Sequence, residues 1–305
     1  MRVERVLVVY RKSLYQIYVK EHNESAVKHA LRQRDTVALG LKEAHEAHAA
    51  TLASVESTLR RLRIQVVSRW RAHVRSTRSF DLVISLGGDG TLLDTSHRIL
   101  DGTPLLGINS DPERSVGALC AGTAGDLPAL LDALASRKLR PRSVTRIRIR
   151  IDGREVFGPT LDDVLFAHSS PAGLTRFDLA VVPAQRALGA HSGHDGGAFQ
   201  RARGSGIWVA TAIGSTAAIH SAGGRIMPVG ARRLQYLVRE PYTGPEPLPG
   251  ARGYVSPGQA LVLINRLRRG ALWADGAHRR IALTYSQQAI LDQHPAPLNL
   301  VLPRR

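Results

Sequence analysis

Short runs of apolar residues alternate with amphipathic stretches through the first third of the chain. VERVLVVY reads as a strand, and residues 38–62 carry the spacing of an amphipathic helix. IQVV reads as a second strand and FDLVISL as a third, apolar throughout and hence buried. A helical pattern follows in TLLDTSHRIL, then the strand PLLGI and the helix DLPALLDALASRK, which stops before Pro141. This rhythm predicts a parallel sheet with helices on both faces, a Rossmann-like α/β domain over residues 1–141. After Pro141 the pattern turns to strands: SVTRIRIRI, TLDDVLFA, TRFDLAVV, SGIWVAT, LQYLVRE, ALVLINRL and RRIALTY, with Gly, Pro and Asp between them. In RIRIRI the period is two, which predicts a half-buried strand with its arginines on a solvated face. The expected fold class is α/β followed by β, with a C-terminal β-sandwich over residues 142–287. The closing segment, about 288–305, is a candidate to return to the first domain.

Composition narrows the class further. A chain of 305 residues with 43% apolar content has room for two cores. One cysteine, Cys120, excludes an intramolecular disulfide framework, and no apolar run approaches membrane-spanning length. The N-terminus has no cleavage-like signal, so a soluble cytoplasmic protein without a membrane partner is expected. The net charge of +17 rests on 42 basic residues, of which only five are Lys. The arginines are scattered and aromatic content is 5%, which leaves few stacking platforms for single strands. An anionic small molecule suits this charge better than nucleic acid. The histidines show no zinc spacing. His191 and His194 stand three apart in a glycine-rich loop, and no metal-ligating residue is assigned.

Three segments carry candidate chemistry. In LVISLGGDGTLLDTSHRI a buried strand runs into Gly87-Gly88-Asp89-Gly90-Thr91, and a helix begins directly afterwards. Glycines let the backbone approach a ligand and turn N–H groups inward, and the helix adds its positive end, so phosphate is the natural guest. The plainer alternative is a tight turn with Asp89 as a helix cap. An aspartate inside a phosphate nest opposes the anion unless it takes a proton from an attacking hydroxyl or helps hold a divalent metal. The second segment is GSGIWVATAIGSTAAIHSAGG, where a strand ends at Gly214-Ser215-Thr216 and a helix of small residues is expected. Backbone there can lie against a flat ligand, with the Thr216 and Ser221 hydroxyls as hydrogen-bond partners; close helix–sheet packing is the alternative. The third is Asp162-Asp163 in TLDDVLFAH. Adjacent strand residues face opposite ways, so both carboxylates serve one site only if the strand has ended.

Together, in this order, these segments resemble the NAD kinase family. GGDGT followed by LLDTSHR is similar to its nucleotide loop, and GSGIWVATAIGSTAAIHSAGGRIMP to its second signature. The related lipid kinases share GGDGT, but their usual Asn-Glu-Val type continuation and the second block separate them from this chain. GINSDP, VGALCAGT, VLFAHSSPAGLTRF, LQYLVREP and APLNLVL resemble the branch that includes the plant NADH kinase. The resemblance implies an N-terminal Rossmann-like domain, a C-terminal β-sandwich, and phosphoryl transfer from ATP, with a divalent metal such as Mg²⁺, to the adenosine ribose 2′-hydroxyl of NAD(H). It implies Asp89 as the catalytic aspartate, Gly90 as its nucleotide-contacting neighbour, and Asp162-Asp163 on the nicotinamide-side ribose. Arg203, Ser205, Thr216, Ala217, Ala218 and Ser221 fall on further dinucleotide-contacting positions, and a homodimer or homotetramer is the implied assembly. The chain departs from the family at four positions: Asp162 for Asn, Ser205 for Asp, Ala218 for Tyr and Ala118 for Phe. The alternatives are a lipid or other small-molecule kinase and a non-catalytic dinucleotide sensor; retention of Asp89 argues against the sensor.

Overall fold

The computed structural model describes residues 2–190, 199–242, 248 and 250–302; His191 and His194 lie outside them. The chain forms two compact units, Met1–Arg142 with Leu298–Arg305, and Ser143–Pro297. Among the described residues no helix is long and apolar enough to cross a membrane.

The first unit is built on β1 (Arg5–Tyr10), α1 (Ser25–Arg32), α2 (Thr36–Arg61), β2 (Gln65–Trp70), β3 (Leu82–Leu86), α3 (Asp89–Ser96), β4 (Leu105–Ile108) and α4 (Leu127–Ala135). Its strands stand in the order β2-β1-β3-β4, all parallel, and Leu298–Val301 adds to β4 in parallel. Every residue of β3 and β4 is buried, as a sheet covered on both faces requires. Val55 and Leu59 of α2, with Leu127, Leu131 and Leu134 of α4, close a core on Val6, Val8, Ile84 and Ile108. The Asp35 carboxylate caps α2 by accepting from the Ala38 amide at 2.9 Å. The sequence pattern did not predict α1 or the π-helical turn Gln16–Glu21.

The chain crosses between units in β5 (Arg142–Val144). The second unit holds β6 (Ile147–Ile151), β7 (Arg154–Thr160), β8 (Asp163–His168), β9 (Thr175–Pro183), β10 (Gln200–Gly204), β11 (Gly206–Ala210), α5 (Ala218–Ser221), β12 (Leu234–Arg239), β13 (Arg252–Val255), β14 (Gln259–Asn265), β15 (Gly270–Ala274), β16 (Arg280–Leu283) and β17 (Gln288–Gln293). These strands make two six-stranded antiparallel sheets, β10-β9-β14-β17-β6-β7 and β13-β12-β11-β8-β15-β16. Phe177, Leu261 and Leu291 from one meet Phe166, Ile207 and Leu272 from the other in a single core, which makes a β-sandwich.

Two details differ from the sequence expectation. The expected boundary at 287/288 falls ten residues early: β17 pairs with both β14 and β6 inside the sandwich, and only from Leu298 does the chain join the first sheet. The arginine face of RIRIRI is not simply solvated. Arg148 and Arg150 both reach the buried Asp292 of β17, at 2.7 and 2.9 Å, and Arg146 is fully buried on the Ala296 and Pro297 carbonyls.

Candidate functional site

Each unit carries part of the predicted chemistry at one end of a sheet. In the first, Tyr10 pairs with Leu86 and Leu86 with Ile108, so β1, β3 and β4 end side by side. Arg11-Lys12, Gly87-Gly88 and Asn109-Ser110 therefore leave the sheet at one edge. The strand order changes direction between β1 and β3, the point where open α/β sheets bind ligands.

The loop after β3 delivers the chain into α3. Gly87 sits at φ +154, and a Cβ there would come within 2.7 Å of the Thr91 Cβ. Thr91 is 3% exposed, so its side chain packs beneath the loop. Gly88 caps α3 with an extended backbone, and Gly90 lies inside the helix with open space where a Cβ would stand. Of the three glycines, only Gly87 adopts a conformation that disfavours other residues. The Thr91 N–H donates to the Gly88 carbonyl at 3.0 Å, whereas Asp89 and Gly90 precede any helical acceptor, so their N–H groups present the positive end of α3, as a phosphate site requires.

Asp89, the first residue of α3, is half-buried. One carboxylate oxygen accepts from the Ala118 amide at 3.0 Å, the other from the Leu119 amide at 2.8 Å. The carboxylate therefore ties the loop after β4 to the glycine loop and is held in one orientation. Beside it, Cys120 lies buried against the Gly87 carbonyl; burial, then the Asp89 charge, pushes the thiol up to about 12. The β4 loop is braced again by Asn109, whose amide donates to the Ser115 carbonyl at 2.9 Å and whose oxygen accepts from the Asp111 amide at 3.1 Å. His48 of α2 pairs through Nδ1 with the Ser110 hydroxyl at 2.9 Å. Burial, then the Arg11 charge, lowers His48 to about 4, so the imidazole that pairs with Ser110 is neutral. Sequence reasoning missed Asn109, Ser110 and His48. GINSDP was visible, but nothing local ties it to a histidine sixty-two positions earlier.

In the second unit, β8 begins at Asp163, so Asp162 precedes the strand and the pair is freed from strict alternation. The Asp275 carboxylate accepts from the Leu161 and Asp162 amides, both at 2.8 Å, and from the Asp163 amide at 3.3 Å. Burial, then the Asp275 charge, raises the Asp163 carboxyl to about 7. Thr211 donates to the Leu161 carbonyl at 2.6 Å and accepts from the Ile213 and Gly214 amides. This brings Gly214 so close that a Cβ on it would lie 2.6 Å from the Asp162 carbonyl carbon. The acidic pair and the Gly214-Ser215-Thr216 turn, distant in sequence, thus share one end of the sandwich.

The remaining predicted residues separate. Thr216, the last residue of that turn, is exposed, as are Ala218 and Ser221 beyond it, and Ala217 is half-buried. The expected small-residue helix is a 3₁₀ turn followed by the four-residue α5. Ser205 and Arg203 precede β11, whereas Asp163 pairs with Ala210 at its far end. At about 3.3 Å per residue, Ser205 stands roughly 20 Å along the strand from Thr211. Within the unit the structure does not bring Arg203 and Ser205 to the acidic pair. Asp275 was also missed; in WADGA it reads as a turn residue.

Residues 1–115 match the family model described as the ATP-NAD kinase N-terminal domain. The chain is 33% identical over 273 residues to a probable NADH kinase of Oryza sativa subsp. japonica, covering 84% of this chain and 82% of that protein. Among solved structures it is similar in fold to an NAD kinase from Archaeoglobus fulgidus in complex with ATP, with a TM-score of 0.63 and 20% identity over 97% of this chain and 93% of that one. It is also similar to yeast NADH kinase complexed with NADH, with a TM-score of 0.66 and 14% identity over 100% and 85% of the two chains.

Proposed function

The chain belongs to the NAD kinase family, and from that premise we propose that it transfers the γ-phosphoryl group of ATP to the 2′-hydroxyl of the adenosine ribose of NAD(H), producing NADP(H). The observation that carries this reading is Asp89: an acid at the start of α3, beside the glycine loop, with its carboxylate oriented by two backbone amides. Phosphoryl transfer asks a protein mainly for positioning and charge neutralisation. In this reading the α3 N-terminus and the Gly87-Gly88 backbone meet the phosphates, and Arg11 and Lys12 leave the sheet at the same edge. Asp89 keeps lone pairs beyond those given to Ala118 and Leu119, and with them it accepts the ribose hydroxyl hydrogen and orients the oxygen for attack.

Among the described residues no group of three His, Cys, Asp or Glu side chains could hold a metal ion. Magnesium is commonly held by substrate phosphates, water and one or two carboxylates rather than an all-protein cage. Asp89 is the residue that would hold it, and the ion would supply further neutralisation of the triphosphate. The dinucleotide falls to the second unit: Asp162 and Asp163 accept ribose hydroxyl hydrogens, and the exposed Thr216 and Ser221 hydroxyls and the Ala217-Ala218 backbone lie along it. Arg203 and Ser205 complete the dinucleotide contacts at the other end of β11. The substrate is NAD in either redox state, and the enzyme is cytoplasmic and a homodimer or homotetramer.

The test is direct. Purified protein with ATP, magnesium and either NAD or NADH should generate NADP(H), read by a coupled dehydrogenase. Failure to form NADP(H) from either dinucleotide overturns the assignment, and light scattering on the same sample reads the assembly.

A further inference from the structure

On the outer face of one sandwich sheet, three neighbouring strands set an arginine at the same level. Arg203 of β10 pairs directly with Arg176 of β9. Arg266 follows β14, and its amide donates to the Arg176 carbonyl at 3.1 Å, one step beyond the Asn265–Phe177 pair. Phe177 and Ala202 turn into the inter-sheet core, so alternation puts Arg176 and Arg203 on the opposite face. Strands lie about 4.8 Å apart, so the row extends about 10 Å. Like charges directly opposite on a sheet destabilise it.

The fold compensates only part of this charge. Asp178, 3% exposed, holds Arg266 at 2.8 Å and Arg201 at 3.2 Å. Among the described residues, Arg176, Arg203 and Arg268 have no carboxylate partner. Arg176, Arg266 and Arg268 line a groove of about 650 Å³ together with His168, Leu174 and Tyr285. His168 accepts the Ser170 amide on Nδ1 at 2.9 Å, which leaves Nε2 as its proton-bearing nitrogen. Tyr285 and Leu174 are 62% and 42% exposed and supply an apolar flank.

We propose that this groove, lined by residues of the second unit alone, binds the di- or triphosphate chain of a nucleotide. Guanidinium groups match phosphate oxygens in paired hydrogen bonds, and three arginines on one groove, Arg176, Arg266 and Arg268, suit a chain of phosphates better than a single anion; Arg203 extends the row beyond the groove. One face of the Tyr285 ring lies under the Arg266 guanidinium, 6.0 Å from the ring centroid, and the ring flanks the groove. The chain belongs either to a nucleoside triphosphate or to the pyrophosphate of a dinucleotide.

Equilibrium dialysis with inorganic pyrophosphate tests this without turnover. The wild-type protein should show two classes of site. In Arg176→Ala/Arg268→Ala one class should weaken tenfold or more, while kinase turnover at saturating substrate is unchanged. Displacement of that class by ATP identifies the triphosphate source, and displacement by NADH the dinucleotide source. If the double alanine variant does not fold, Arg176→Lys/Arg268→Lys keeps the charge but loses the paired geometry and should bind more weakly than wild type. Pyrophosphate binding that is the same in wild type and folded variant overturns the proposal. Binding here by a protein that makes no NADP(H) would overturn the kinase reading alone.

Discussion

Replacing Asp89 by Asn removes one of the two oxygens that hold the Ala118 and Leu119 amides. The new carboxamide NH₂ then faces a backbone N–H, and one amide loses its acceptor. A hydrogen bond to a charged group contributes about 1.5–3 kcal/mol, so the first unit should be destabilised by about that much. Domain stabilities of about 5–15 kcal/mol leave such a protein folded. Loss of general-base assistance lowers the rate by about 10²–10⁴, or about 3–5 kcal/mol of barrier. The two effects separate in measurement. Urea unfolding reads the strut; kcat and KM from the coupled assay read the chemistry. If Asp89 were only a strut, the β4 loop would loosen and KM would rise with kcat preserved. If it also meets the ribose hydroxyl, kcat collapses in a folded protein. A folded Asp89→Asn variant with more than half of wild-type turnover would refute the catalytic assignment and leave the strut.

Three further outcomes follow from the same geometry. Gly90→Ala should stabilise α3 by about 0.5–1 kcal/mol yet weaken ATP binding, whereas Gly87→Ala should cost stability through its positive φ and its overlap with Thr91; melting temperatures and ATP titrations compare them, and unchanged ATP affinity in Gly90→Ala would make the loop structural. The Asp163 carboxyl titrates near 7 when folded against 3.8 ordinarily, so the stability it contributes is present below about pH 4 and is lost as pH rises through 7; Asp163→Asn should gain roughly 2–4 kcal/mol at pH 8 relative to pH 4, and equal Tm differences from wild type at both pH values would contradict this. His48 has its folded pKa lowered to about 4, so stability is lost as pH falls from 6.5 towards 4, by roughly 3 kcal/mol at most; His48→Asn should flatten that part of the urea-measured profile.

The fold was legible where local pattern and tertiary burial agree. The apolar runs LVISL and LLGI are central strands buried on both faces, and nothing else accommodates such runs in four or five residues. Sandwich strands were missed where side chains are mixed or short. β7 (REVFGPT) contains Gly and Pro, and β10 (QRARG) has one apolar residue, Ala202, facing the core. Such strands are held by their neighbours' hydrogen bonds, not by a propensity of their own. β17 was misassigned to the return segment because AILDQ reads equally well as a strand of either sheet. What decides is Asp292, buried between Arg148 and Arg150, a partnership formed across more than 140 positions.

The same distinction runs through the candidate site. Glycines announce themselves because their requirement is local: Gly87 must adopt φ +154, and Gly214 must let a carbonyl approach. The charge state of an acid is not local. Asp162-Asp163 read as a strand-end turn or a ribose clamp, and the neighbour that changes Asp163, Asp275, lies 112 positions on in a turn of its own. Asp275 can hold three amides only because β15 runs beside β8, with Ala274 opposite Val164. Burial first, and then the Asp275 charge, push the Asp163 proton towards neutral pH, so this carboxyl can donate as well as accept within the physiological range. An Asn at 163 would also donate and accept, but without titrating. The ribose contact proposed at this position is therefore pH-dependent in part for a reason set by sheet register: moving β15 by one residue would take away the Asp275 contribution while leaving Asp162-Asp163 unchanged in sequence.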